Sequence, residues 1–197
     1  MKPRLLSCLF ATAAIAAAES YQIGPAEGAR MELSVEKTGL LRGKKHLFVF
    51  EQYRGTLQYD PQRPGSSEVR ITIDARSASC RDTWVSAKDL RKIQEYALKE
   101  MLAAEQYPKI TFASSAIREV ATGRYEVQGM LTIRGLAKPA VVMVSVNPGP
   151  LSFQGNAQLR LSDYGLKRPS AALGTIGTKD EMSFSFSFSP AARRETL

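Results

Sequence analysis

Short stretches in which polar and apolar residues alternate strictly recur along the chain. Residues 68–74, with the sequence EVRITID, and residues 183–189, with the sequence SFSFSFS, alternate without a break. Successive side chains of a β-strand point to opposite faces, so each stretch has one apolar and one polar face. An antiparallel sheet that faces the interior on one side and water on the other has this pattern.

Further segments carry a strand pattern, and turn sequences rich in Pro and Gly separate them, as at residues 60–65 and 147–150. The further predicted strands are residues 31–36, 46–59, 109–114, 124–134, 140–147, 151–154 and 157–162. About eight strands at this spacing predict an all-β barrel or sandwich. We favour an antiparallel barrel, because closure removes exposed strand edges.

One segment, from residue 86 to about residue 106, follows a helical period instead. Its apolar residues recur on one stripe, at Leu90, Ile93, Ala97, Met101 and Ala104. Ser86 is the predicted N-cap, and Pro108 follows the end of the segment. The pattern predicts one amphipathic α-helix inserted between strands and packed on the barrel. Whether this helix also lines or covers a cavity stays open.

The first residues have the features of a secretory signal. Lys2 and Arg4 precede an apolar run that ends in three alanines at residues 16–18. The run is shorter than the roughly 20 apolar residues that span a bilayer. We predict a signal peptide over residues 1–18, one barrel domain over residues 19–197, and a periplasmic or secreted location.

The charge balance of the chain is basic, with a formal net charge of +8 that signal cleavage lowers by two. Two interpretations stay open: attraction to anionic lipid headgroups, with transient contact to a membrane surface, or a general solubility feature. Nucleic acid is not an expected partner, because the basic residues are scattered. Nothing in the sequence indicates an oligomeric state.

Candidate catalytic chemistry is sparse. His46 is the single histidine, so a metal site with two or more imidazoles cannot form. The chain contains neither a G-x-S-x-G elbow nor a phosphate-binding loop. Cys80, the one cysteine beyond the signal, could pair with His46 as nucleophile and base, although a buried, inert thiol is the commoner outcome. We therefore expect no catalytic site, no metal, no cofactor and no enzymatic activity.

Four sequence blocks follow one another in a characteristic order. They are RD at residues 81–82, YPKITFASS at residues 107–115, VQGMLTIRG at residues 127–135 with KP at residues 138–139, and LSDYG at residues 161–165. Their order and spacing resemble those of the YceI-like family over residues 31–188. That family carries a YPxITFxS block, a GxLTxxGxxKP block and an RSDFG-like block.

The resemblance implies a lipocalin-like antiparallel barrel of about eight strands with an elongated apolar interior. It also implies a periplasmic carrier of polyisoprenoid lipids, such as polyprenyl chains or isoprenoid quinones. His46 matches the recurring early histidine of the family. The segment from Thr83 to Gln106 is longer than its usual counterpart in the family, with Trp84 near its start.

The predicted ligand site consists of apolar side chains that should point into the barrel, together with His46 and Trp84. The apolar members are Phe48, Phe50, Ile71, Ile73, Ile110, Phe112, Phe184 and Phe186. His46 is either held in the barrel wall by hydrogen bonds or in contact with the head group of the ligand. A lipid chain gains about 0.8 kcal/mol for each buried methylene group, so many weak contacts suffice for binding.

Two functional hypotheses follow. The first is an exported, non-enzymatic carrier or sequestering protein for a polyisoprenoid, a quinone-like molecule or a similar long apolar lipid. The alternative is a non-catalytic structural or stress-related interaction module whose barrel is filled with side chains. A void along the barrel axis distinguishes the two, because only the first requires it.

Overall fold

The computed structural model describes residues 19–189 and the backbone of residues 191–192. The predicted signal peptide, residues 1–18, lies outside the described residues. Within the described part of the chain the strands are β1 (Glu19–Ile23), β2 (Arg30–Gly39), β3 (Lys45–Phe50), β4 (Tyr53–Tyr59), β5 (Glu68–Asp74), β6 (Ala78–Cys80), β7 (Lys109–Ala121), β8 (Arg124–Ile133), β9 (Leu136–Pro148), β10 (Leu151–Arg160), β11 (Ser170–Ala171), β12 (Ile176–Phe188) and β13 (Ala191–Ala192). The helix α1 (Ala87–Tyr96) continues into a π-helical turn, Ala97–Met101.

The strands form one antiparallel sheet that closes into a ring. β3 and β4 act as one long bent strand, because β2 and β1 pair along one of its sides and β6 and β5 along the other. The sheet then runs through β5, β7, β8, β9, β10 and β12. β12 pairs back onto β2, with Phe186 opposite Met31. Counted this way, the described residues form a barrel of eight long strands, which confirms the predicted fold class.

Two predicted divisions into strands were wrong, and some strands, such as β2 and β7, extend past their predicted ends. The predicted strand 46–59 is two strands, because the chain bends at Glu51 and Gln52. At this bend the Glu51 N–H donates to the Ser77 carbonyl, and the Gln52 carbonyl accepts the Asp74 N–H. The predicted strands 151–154 and 157–162 are instead one strand, β10. Its central residue Gly155 stays paired with Phe186 on β12, so the small polar residues do not break it.

The helix begins as predicted and ends earlier. The Ser86 hydroxyl accepts a hydrogen bond from the backbone N–H of Asp89, which caps α1. The helical turns stop after Met101, and Ala103 has a φ of +45°, a left-handed conformation that ends the helical path. Residues 103–106 are therefore a turn. No helix within the described residues is long and apolar enough to cross a bilayer.

The inward face of the ring is apolar. On β12, Phe184, Phe186 and Phe188 all face the barrel interior, whereas the serines between them lie on the other face. The Ala97 and Ala104 side chains are buried where the helical segment packs on the barrel. Gln94 attaches this segment to β6, since its side-chain amide accepts from the N–H of Cys80 and donates to the carbonyl of Ala78, both at 2.6 Å.

Candidate ligand-binding site

An apolar cavity, here called the tunnel, extends along the barrel interior and is lined by inward-facing residues of all eight long strands. Apart from Tyr59, Ser67 and Tyr125, every lining side chain consists of carbon, hydrogen and sulfur only. Along β9 the tunnel reaches from Ala140 to Val146. At roughly 3.3 Å per residue, this span corresponds to about 20 Å.

The tunnel is long but narrow. Its volume is about 150 Å³ over a span of about 20 Å. A single water needs roughly 10–15 Å³ of such space, so the tunnel is a real void. Its shape therefore suits an extended chain better than a bulky ring system.

Glycines in the barrel wall make room for the aromatic side chains. A Cβ atom on Gly129 of β8 would lie 2.6 Å from Cζ of Phe112, and one on Gly155 of β10 would collide with the Phe186 ring. Both rings therefore lie over a glycine at the wall of the barrel. This arrangement leaves the centre open even though large aromatic residues face inward.

A second cavity, here called the end chamber, lies where the helical segment covers one end of the barrel. Its volume is about 360 Å³, and it is lined by parts of β2, β3, β12, the helical segment and residues 169–171. The tunnel and the end chamber share five lining residues, Leu33, Phe50, Leu102, Leu166 and Met182. The helix thus lines a cavity, which answers the question that the sequence left open.

The end chamber carries the polar groups that the tunnel lacks. Lys37 of β2 lies opposite Thr178 of β12, and His46 of β3 lies opposite Val35 of β2. Lys37 is only 8% exposed and Thr178 only 4%. Lys37 and Thr178 lie one inward position beyond Val35 of β2, and His46 lies beside Val35, so the cavity system is mostly apolar along the tunnel and polar at its end.

His46 is held in place by a buried carboxylate and an aromatic neighbour. Its Nδ1 atom donates to Oδ2 of Asp82 at 2.5 Å, and the other Asp82 oxygen accepts the backbone N–H of Leu47 at 2.8 Å. The Asp82 side chain is fully buried. The Trp84 ring stacks on His46 with 5.4 Å between ring centroids, and its indole N–H donates to the Lys45 carbonyl.

Lys37 is a largely buried cation with no close counter-ion within residues 19–189. Burial lowers the pKa of Lys37, and the charge of Asp82 opposes this effect without cancelling it. Among the described residues, none forms a hydrogen bond or an ion pair within 4 Å with the Lys37 ammonium group. A polar or anionic group in the end chamber would supply the missing partner.

The structure brings most of the predicted site residues together. Those that line the tunnel are Phe50, Ile71, Ile73, Ile110, Phe112, Phe184 and Phe186. His46 and Phe48 line the end chamber, which Phe50 also borders. Trp84 lines neither cavity and instead supports His46 from the side. Direct binding of a ligand by any of these residues remains a prediction.

Several lining residues were absent from the predicted site. In the tunnel they include Val127, Leu131, Val142, Val144 and Phe188. Their strands were predicted, so the alternation of inward and outward side chains could have identified these residues as facing the interior. Lys37 was missed because the predicted strand ended at residue 36. It lies two residues after Val35, on the inward face of β2.

Cys80 lacks the setting of a catalytic thiol. It is 6% exposed, and burial raises the pKa of its thiol to about 11, so little thiolate exists at neutral pH. Its strand partner is Phe48, and no hydrogen bond joins Cys80 to His46 among the described residues. His46 is bonded to Asp82 instead. These observations weaken the hypothesis of a nucleophile–base pair.

The fold and the tunnel define a lipocalin-like antiparallel barrel with an apolar interior. Within that class the chain belongs to the YceI-like family, whose family model, described as a YceI-like domain, matches residues 21–189. The chain is 27% identical over 139 residues to a UPF0312 protein of Pseudomonas savastanoi pv. phaseolicola, an alignment that covers 64% of this chain and 67% of the relative. For a UPF0312 protein of Vibrio cholerae, the identity is 25% over 126 residues, covering 60% and 63%.

Solved structures support the same fold. BcnA of Burkholderia cenocepacia superimposes with a TM-score of 0.64 at 21% identity, covering 82% of this chain and 95% of BcnA. The YCEI protein of Campylobacter jejuni gives a TM-score of 0.55 at 19% identity, covering 74% and 84%. At these identities the similarity concerns the fold.

Proposed function

We propose that this protein binds one long apolar lipid in the tunnel and acts as a carrier or sequestering protein, not as an enzyme. The ligand class is a polyisoprenoid, a quinone-like molecule with a polyisoprenoid tail, or a similar chain. The observation that carries the proposal is the narrow void of about 20 Å along β9, lined almost entirely by hydrocarbon side chains.

The physical basis is the transfer of a chain from water into a preformed apolar cavity. Each methylene group buried in this way contributes about 0.8 kcal/mol, so affinity grows with the length of chain inside the barrel. The tunnel walls offer few hydrogen-bonding groups, so they would discriminate by width and length. Membership in the YceI-like family and the lipocalin-like barrel support this proposal at the level of the fold.

The proposal includes an exported protein. It rests on the signal pattern of residues 1–18, which predicts cleavage near Ala18 and a periplasmic or secreted location. Intact mass measurement of the protein isolated from its own host, after cell fractionation, tests this part. A mature chain that retains Met1 in the cytoplasmic fraction would refute it without affecting the binding proposal.

The alternative, a structural module with a filled barrel, has less support because the barrel centre contains a void. Native mass spectrometry of protein purified gently from its own host tests the two against each other. Our proposal predicts a bound mass that organic extraction releases as a lipid. A protein that carries no added mass and takes up no lipid from vesicles supports the alternative.

A matched pair of substitutions on β9 localises the binding. Val142 lines the tunnel, whereas its neighbour Val141 is 48% exposed on the outer face. Val142→Phe should fill the narrow bore and reduce lipid binding by tenfold or more, at roughly 1.4 kcal/mol per tenfold. Val141→Phe adds the same ring outside the barrel and should bind lipid normally.

Titration with a fluorescent long-chain lipid measures this difference, and circular dichroism shows whether both variants are folded. Equal binding by the two variants would place the lipid outside the tunnel and contradict the proposal.

A further inference from the structure

We infer that the end chamber receives an anionic head group of the lipid and that Lys37 is its counter-ion. This inference rests on the proposed function, because it assumes that the tunnel holds the tail of the same molecule. It specifies the ligand further: a long apolar chain that ends in a carboxylate or a phosphate.

The position of Lys37 follows from the strand pattern. Met31, Leu33 and Val35 occupy the inward positions of β2, and Lys37 continues that line by one further step. A ligand that lies along β2 therefore meets only apolar side chains of this strand until its end reaches Lys37. Because Leu33 borders both cavities, the tail and the head could occupy them at the same time.

Carboxylates near Lys37 are already engaged elsewhere. Asp82 is bonded to His46 and to the backbone of Leu47. Glu36 lies on the opposite face of β2 and pairs there with Lys45 and Lys179. The described residues therefore surround the Lys37 ammonium group with no acid that could neutralise it at short range.

Other charges at the end chamber have the same sign. Lys92 of α1 also lines it, and its partner Asp89 is 3.9 Å away on the exposed face of the helix. The Thr178 hydroxyl lies across the strand pair from Lys37, and its contact with the Pro169 carbonyl is long, at 3.4 Å. Thr178 is therefore a second candidate donor for an anionic oxygen.

The energetic argument compares the empty and the occupied chamber. The Lys37 ammonium group has lost part of its hydration, because the residue is 8% exposed, and no close counter-ion among residues 19–189 compensates this loss. A bound carboxylate or phosphate supplies a charge-assisted hydrogen bond, which is about twice as strong as a neutral one. An alcohol head group of the same chain gains less, so the site should prefer the acid.

The test uses two matched pairs of probes on the full protein, oleate with oleyl alcohol and farnesyl phosphate with farnesol. In the unmodified protein the anionic member of at least one pair should bind about tenfold more tightly, a difference within the range of charged hydrogen bonds. Lys37→Met keeps the length and the apolar stem of the side chain but removes its charge. This variant should lose the preference and bind the neutral probes as before.

Lys45→Met is the control, because it removes the same charge from the outer face of β3, where Lys45 is 57% exposed. It should keep the preference. A preference in the oleate pair alone identifies a carboxylate, and one in the farnesyl pair alone identifies a phosphate. The comparison of probes in the unmodified protein holds even if a variant folds poorly.

Two outcomes overturn the inference in different ways. If acids and alcohols bind the unmodified protein equally, or if Lys37→Met keeps the preference, the head-group assignment fails while lipid binding stands. If no probe binds, and the protein from its own host carries no lipid, the proposed function fails together with the inference.

Discussion

Two buried charged residues lie at opposite ends of the barrel, and their surroundings differ. Lys37 faces the end chamber with no close partner in the part of the chain that the structure describes, whereas Asp60, directly after β4, is fully satisfied. Asp60 accepts the backbone N–H groups of Gln62 and Arg63 and the Nε–H of Arg63, at 2.9 to 3.0 Å. We conclude that Asp60 has a structural role, since it organises the turn between β4 and β5.

This difference leads to a pH prediction for Asp60. Burial by itself would raise the pKa of Asp60, but the hydrogen bonds from the Arg63 and Gln62 backbones and the Arg63 side chain lower it below its usual value. The stabilisation is therefore present above the unfolded pKa of about 3.9 and is lost as pH falls through the folded pKa. Asp60→Asn should lower the melting temperature at neutral pH, by an amount that shrinks in acid.

Thermal melts of both proteins across the acid range measure this effect. The control is Asp163→Asn, at an exposed carboxylate, which should leave the melting temperature unchanged. If the melting temperature of Asp60→Asn stays lower by the same amount at pH values below the folded pKa, the charge of Asp60 is not the source of the stabilisation.

At the scale of elements, the contact between the helical segment and β6 decides how the barrel end is covered. β6 is only three residues long, and on the side away from β3 it has no strand partner in the described sheet. Gln94 takes that place, because its amide makes the two hydrogen bonds to Cys80 and Ala78 that a neighbouring strand would make. The segment that lines the end chamber is thereby held to the strand edge.

Gln94→Ala should loosen this attachment. Its removal leaves two backbone groups of β6 without partners, which typically costs about 1–3 kcal/mol in the free energy of unfolding. Denaturation by urea measures the loss, and hydrogen exchange at the Cys80 amide should become faster. Lys88→Ala, on the exposed side of α1, should change stability by no more than about 0.5 kcal/mol.

If the helical segment gates the end chamber, Gln94→Ala should also speed the release of bound lipid. Unchanged stability and unchanged exchange at Cys80 would contradict the bridging role of Gln94.

At the scale of the whole molecule, a closed ring surrounds a void that no side chain of residues 19–189 fills. Closure through the β12–β2 pairing satisfies the backbone of both strands, and the void remains because Gly129 and Gly155 take up the rings of Phe112 and Phe186. Empty apolar space forgoes packing contacts. A bound chain would restore those contacts, so ligand binding and stability should be coupled.

This coupling predicts a higher melting temperature for the lipid-loaded protein than for the delipidated one. At a free lipid concentration of 100 times Kd, mass action adds about 2.7 kcal/mol. For a domain of this size, 1 kcal/mol corresponds to roughly 2–4 °C, so the shift should reach about 5–10 °C. Differential scanning calorimetry measures it, and Val142→Phe should show no lipid-dependent shift.

The alternating segments were predictable because their information is local. The inward placement of Phe184 and Phe186 follows from a two-residue period, and the cap at Ser86 follows from its position before an apolar stripe. The order of sequence blocks predicted the family and the barrel. The sequence by itself therefore determined the type of the long strands and of the helix, and the face that most of those strands bury.

Only the tertiary structure decided which parts meet and what space remains between them. The burial of Lys37 and the bridge made by Gln94 depend on partners far along the chain, and no local period reports them. Trp84 lies against His46 because of where the turn after β6 places it. Volumes and long-range contacts arise only when the ring closes, so a void and its polar end are properties of the assembled barrel.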